Sequence, residues 1–304
     1  MVTHSYLGLN CILRSAGHPL YSMLCTILTV FLNVVLDVLF VYSFDMGIRG
    51  AALATVLAQI VALLVQIKLF CNPDELLRWK HGIFGLERKI IGHILSIGMS
   101  PFLMNLCACL VVIFINRGLM EQGGDLSVGA YGIVNRVAFI FVMIVMGVNQ
   151  GMQPIAGFNF GAGRYDRVMR VLWLTMIGGT LVTTSGFMLG EFFPEEVARM
   201  FTADEQLIQL SSEAMRIVMV TFPIIGIQMV ITNFFQSIGM PKKSIFLSLS
   251  RQMLFLVPCL VILPKYFGVD GVWYSMPISD SISVVTAVVL IIIQIRKFKQ
   301  MKTI

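Results

Sequence analysis

Charge is what this sequence has least of. Only 12% of its 304 residues are Asp, Glu, Lys or Arg, against about 25% in a soluble globular domain. That is too little to cover a water-facing surface, so a soluble globular fold is excluded. Histidine is nearly absent: His4, His18, His81 and His93 stand at helix ends or in loops, which excludes a buried proton relay through imidazoles. The six cysteines lie mostly inside apolar runs, and Cys107 and Cys109, two apart, point to different faces of a helix. Neither a disulfide frame nor a zinc site is signalled. Gly161-Ala162-Gly163 lacks the further glycine of a dinucleotide fingerprint, and no Gly-Lys-Ser/Thr follows it, so a phosphate loop is excluded too. The first residues read as the last turns of a helix, not as a signal peptide.

What the chain has is apolar length. Hydrophobic residues make up 57% of it, and the mean hydropathy is +0.87. Runs of the ~20 residues needed to cross a bilayer recur along it. After a turn at Arg14–Pro19, spans are expected at 20–44, 51–70, 94–119, 128–159, 171–190, 207–236, 244–263 and 272–295. A short turn with Asp45, Gly47, Arg49 and Gly50 separates the first two. Residues 71–93 read as a polar, basic linker, and acidic loops are expected at 121–127 and 191–206. Eight complete spans and a partial first one define an all-α polytopic membrane protein whose first partner is the lipid bilayer.

The loops set the orientation. With Arg14–Pro19 inside, the inner segments hold the linker bases, Arg164, Arg167, Arg170, Lys242, Lys243 and the tail residues Arg296, Lys297, Lys299 and Lys302. The outer loops hold mainly Arg49, Arg199 and Lys265. That asymmetry predicts a cytoplasmic C-terminus. It also accounts for the net charge of +6 without nucleic acid, since the bases are scattered through short loops.

An internal repeat follows. Ser15-x-Gly17-x-Pro19-x-x-Ser22 matches Ser237-x-Gly239-x-Pro241-x-x-Ser244 at a spacing of 222 residues, and Gly47-x-x-Gly50 matches Gly268-x-x-Gly271 at 221. Each copy reads turn, outgoing span, short outer turn, returning span, and both start inside. This is the pattern of a parallel repeat about an axis along the membrane normal. The second copy holds six spans; the first retains two and part of a third. By that comparison three spans and most of a fourth would precede Met1.

Polar residues inside spans cost about 2.5–3.5 kcal/mol each if charged, and so mark function or packing. Asn33 and Asp37 share one helix face and line a cavity or a helix contact. Arg251 and Asp280, on neighbouring antiparallel spans, are expected to pair, unless Arg251 snorkels to the cytoplasmic face. Arg136 points to a cavity or a structural hydrogen bond. Glu213 and Arg216, three apart, are expected to pair locally. Gln150, Gln153 and Asn159 surround Pro154 and are expected to satisfy the backbone it opens, ahead of direct drug contact.

The motifs Gly17-x-Pro19, Asn33-x-x-x-Asp37, Gly47-x-x-Gly50-Ala51-Ala52-x-Ala54-Thr55 and Gln153-Pro154-x-x-Gly157-x-Asn159-x-Gly161-Ala162 resemble the multidrug and toxic compound extrusion (MATE) family. Gln236-Ser237-x-Gly239-x-Pro241 and Arg251-Gln252 are similar to its MepA-like bacterial branch. The resemblance implies two helical lobes around a central cavity, the first incomplete here. Residues 1–70 would be the remainder of the N-terminal lobe, 71–93 the cytoplasmic linker and 94–304 the complete C-terminal lobe. It further implies secondary-active efflux of amphipathic, cationic compounds against Na⁺ or H⁺ by alternating access, in the bacterial inner membrane, without enzymatic chemistry or a cofactor. The substrate and ion pathway would draw on Asn33, Asp37, Arg136, Gln150, Gln153, Asn159, Arg251 and Asp280. No acid matches the family's cation site in 94–119. The alternatives are a lipid-linked saccharide flippase of related fold, for which Arg136, Arg216 and Arg251 are the candidate phosphate cations, and an inactive or regulatory fragment that pairs with a separate N-terminal piece.

Overall fold

In a computed structural model the chain is helical, and the structure describes residues 2–71 and 87–302. Most of the expected linker, 72–86, lies outside the described residues. The chain divides into two compact units, Met1–Glu87 and Arg88–Ile304.

The first unit holds α1 (Val2–Ser15), α2 (Pro19–Asp37) and α3 (Gly47–Phe70). Pro19 stands in the first turn of α2, where its missing N–H costs nothing. Beyond Asp37 the α2 helix widens into a π-helical segment, Val38–Ser43. Helix α3 begins at Gly47, so Arg49 and Gly50, expected in the turn, belong to its first turn. Its buried residues are Gly50, Ala54, Ala58, Ala62, Gln66 and Phe70, a four-residue period that puts them on one face. Small side chains there let the helices approach closely, as membrane helices do without a hydrophobic drive between them.

The second unit holds the remaining helices. Helix α4 (Arg88–Gly161) is 74 residues long, about 110 Å if straight at 1.5 Å per residue. It is broken at Gly124, whose φ of 67° and ψ of −165° suit only glycine. The acidic loop expected at 121–127 is thus a single glycine break between helices, and Arg88–His93, expected in the linker, is already helical. Helix α10 (Val257–Lys302) is broken in the same way at Gly268. Between them run α5 (Tyr165–Phe192), the short α6 (Pro194–Arg199), α7 (Glu205–Met219), α8 (Phe222–Ser237) and α9 (Pro241–Leu249), which passes through a π-helical segment, Ser250–Leu256, into α10. The expected span 207–236 is not one straight helix: α7 and α8 meet at a 54° bend just before Pro223. Dividing α4 and α10 at their glycines and counting the bent pair once gives eight membrane-length segments among the described residues.

The turns of the two sequence repeats share their backbone geometry. His18 and Met240, each just before a helix-starting proline, have φ/ψ of −109°/56° and −107°/60°. Gly17 and Gly239 before them are left-handed, at φ 94° and 72°, as are Gly47 and Gly268 at 54° and 59°. A Cβ on Gly50 would press on the Phe40 carbonyl, and one on Gly271 would run into the Leu263 carbonyl. The second glycine of each Gly-x-x-Gly therefore lets the returning helix pass the end of the outgoing one.

Large apolar side chains face outward: Leu20, Phe31, Ile48, Phe158, Leu181 and Phe192 are all more than 60% exposed. In water each would forfeit about 1.5–3 kcal/mol of burial; against lipid tails none is lost.

Candidate functional site: a buried ion pair bridged by an amide

Four polar side chains from three elements meet inside the second unit. Asp280, on α10, is buried at 7% exposure. Arg251 stands in the π-helical segment, with Nε 3.0 Å from Asp280 Oδ1. The Nε–H is not aimed along that line, so the contact is an ion pair more than a directed hydrogen bond. Arg251 Nη1 donates to Gln228 Oε1 at 3.2 Å, and Gln228 Nε2 donates to Ser283 Oγ at 2.9 Å. Gln228 and Ser283 are both buried. The guanidinium therefore bridges a carboxylate and an amide oxygen from different helices.

The local sequence explains the arrangement. Ser275, Ser279 and Ser283 recur every fourth residue on α10 and are fully buried, a polar stripe on one face of the helix. Ser275 and Ser279 turn their hydroxyls back to the Gly271 and Met276 carbonyls. Ser283 instead accepts from another helix, and Asp280 lies beside it. A π turn inserts an extra residue and re-aims the side chains it carries, and such turns concentrate at functional sites. Asp37, the other deep acid, stands at the threshold of the π segment in the first unit.

The expected Arg251–Asp280 pair forms, and Arg251 does not snorkel away. Gln228 and Ser283 were not among the expected site residues. Their sequence signal, a lone amide and a serine in apolar runs, is shared with many packing residues. Asn33 makes a helix contact, donating to Thr55 Oγ1 at 3.2 Å. Asp37 is half-buried, and its enclosed Oδ1 has no hydrogen-bond partner among the described residues. Arg136 and Gln150 are exposed and Gln153 is half-buried.

Two expectations need correction. Asn159 is buried, but its amide donates to the Ile155 carbonyl at 2.8 Å. It closes the last turn of α4, four residues back, and is not spent on the Gln150 carbonyl, whose usual i+4 N–H proline does not have. Nor do Glu213 and Arg216 pair: both are exposed, and no ion pair among the described residues joins them. Arg216 instead lines an open groove of about 320 Å³ with Glu191, Tyr274 and Pro277. Asn149, beside Gln150, is not among the expected site residues; it is 1% exposed, and neither amide atom has a hydrogen-bond partner among the described residues.

Lipid-length helices and a buried, charged network define a multi-pass membrane protein. The MatE family is matched over residues 97–262, more than half of the chain, and the chain belongs to that family of multi-pass membrane transporters. It is 25% identical over 282 residues to the multidrug export protein MepA of Staphylococcus aureus, and 24% identical over 285 to that of Staphylococcus saprophyticus. Each match covers 91% of this chain and 61% of the relative, so the chain spans about three-fifths of those proteins. A MATE protein crystallised in the bent conformation superposes with a TM-score of 0.91 at 23% identity, over all of this chain and 68% of its own. An outward-facing multidrug resistance MATE transporter superposes at 0.89 and 24%, over 96% of this chain and 66% of its own. At such identities these structures speak for the fold.

Proposed function

We propose that this chain takes part in secondary-active export of amphipathic, cationic organic compounds from the bacterial cytoplasm, by alternating access in the inner membrane with the C-terminus cytoplasmic. Entry of Na⁺ or H⁺ drives it. The observation that carries the reading is Asp280: an acid inside a membrane-spanning helix, held in a network of groups from three elements. Such an acid is costly to keep and serves where a cation must bind and leave. The multidrug export named for MepA supports the substrate class. Asn33, Asp37, Arg136, Gln150, Gln153 and Asn159 remain candidates for the pathway, with Asn33 bonded to a neighbouring helix and Asn159 to its own turn. Arg251, one of the three candidate cations of the saccharide-flippase reading, is paired with Asp280 in this structure.

The test is accumulation of a cationic dye in a pump-deficient bacterial host. Expression of the chain should lower accumulation, and Asp280→Asn at matched protein level should restore it. Equal accumulation with wild type and with empty vector would overturn the reading.

A further inference from the structure

Arg251 lies between two oxygen acceptors, Asp280 Oδ1 at 3.0 Å and Gln228 Oε1 at 3.2 Å. Ser283 accepts the Gln228 N–H and so turns the amide oxygen toward the guanidinium. The carboxylate side chain is 10% exposed and the arginine 29%. Arg251 is the one charged member with a way out, and it is rooted in a π turn that can be drawn back into regular helix.

Were the guanidinium to leave alone, a buried carboxylate and a buried amide oxygen would face one empty position, and both would be penalised. A proton could neutralise Asp280, leaving one O–H directed at one acceptor; a Na⁺ titration at fixed pH tells that state from a bound metal ion. A divalent ion would bring one charge too many for a single carboxylate. A small, hard, monovalent cation satisfies both oxygens and leaves the interior charge unchanged.

We propose that Asp280 and Gln228 are the ligands of a Na⁺ site, oriented by Ser283, in which Arg251 is the tethered occupant: Na⁺ enters as Arg251 swings out, and Arg251 returns as Na⁺ leaves. Its use in transport rests on the antiport reading; the binding itself does not. The exchange breaks and makes no covalent bond, and one positive charge replaces another.

The experiment is thermal melting of the purified full chain in detergent, at fixed pH and ionic strength, with NaCl titrated against choline chloride. Bound Na⁺ raises the melting temperature by mass action. The wild type should respond to Na⁺. Arg251→Gln should reach half-maximal response at a Na⁺ concentration lower by about tenfold or more, since Na⁺ no longer displaces a charged hydrogen-bonded group. Arg251→Lys keeps a tethered cation and should respond nearer to wild type. The double variant Arg251→Gln with Asp280→Asn should not respond. An equal midpoint in wild type and Arg251→Gln, or a response persisting in the double variant, overturns the site. If Arg251→Gln does not accumulate, Gln228→Leu removes one ligand and spares the ion pair; its midpoint should rise, and an unchanged one overturns the site. Dye export from liposomes separates the two ideas. Export with no Arg251-dependent Na⁺ response defeats the site alone, and that response without export defeats the export reading alone.

Discussion

Gly226 of α8 crosses Gly179 of α5 so closely that a Cβ added to Gly226 would lie 2.8 Å from the Gly179 carbonyl oxygen. It would also meet Thr183 Oγ1 at 2.6 Å. The backbone atom cannot step aside without moving a helix. Gly226→Ala should therefore lower stability by about 1–3 kcal/mol, the range for overpacking. Gly178→Ala, one residue along, meets only Val148 at 3.9 Å and should be close to neutral. Melting curves of the two variants in detergent check this, and equal melting temperatures would refute the close crossing.

The Gly-x-x-Gly turns give a second prediction. Gly268→Ala forces a side chain into φ 59°, ψ −133°, a conformation costing about 1–3 kcal/mol for any other residue. Gly271→Ala adds a collision with the Leu263 carbonyl. In the first unit, Gly47→Ala repeats the strain of Gly268 and Gly50→Ala the collision of Gly271, more mildly, at 3.0 Å from Phe40. The expected order of lost folded protein puts Gly271→Ala ahead of Gly50→Ala, read by size-exclusion profiles of fluorescent fusions. The reverse order would break the parallel between the repeats.

Gln228 and Ser283 should behave as one unit. Gln228→Leu strands an Arg251 N–H and the Ser283 hydroxyl; Ser283→Ala strands the Gln228 N–H. Each loss leaves a buried polar group unpaired, at about 1–3 kcal/mol. In the double variant the shared bond is lost only once, so the penalties should fall short of additive by about 0.5 kcal/mol or more. A double-mutant cycle on melting temperature measures it, and strict additivity would mean the two do not interact.

Arg136 tests the pathway rather than the fold. It is exposed, and none of the ion pairs among the described residues uses it. Arg136→Gln should therefore leave melting unchanged to within about 0.5 kcal/mol, as for a surface substitution, while changing dye export. Unchanged export as well would remove Arg136 from the pathway.

The spans, the repeat and the Arg251–Asp280 pair were legible because each has a strong one-dimensional signal. Apolar length marks a span, glycine and proline at fixed offsets mark the turns, and a charge in hydrocarbon demands a partner. The bend between α7 and α8 was less legible: Pro223 announces a break but not its angle. Gln228 was invisible as a bridge because an amide in an apolar run reads the same whether it bonds its own helix or another. Asn159 shows the other side of that ambiguity, since it bonds its own turn.

By itself, the sequence determined that this chain crosses a membrane many times, roughly where its spans fall, and which charges must find company. Those outcomes follow from the cost of moving polar groups into hydrocarbon, which each segment meets along its own length. Only tertiary structure decided that Arg251 spans both Asp280 and Gln228, and that Gly179 and Gly226 let two helices touch. Contacts between helices depend on crossing geometry and on where a π turn aims a side chain, and neither is written in the order of residues along one helix.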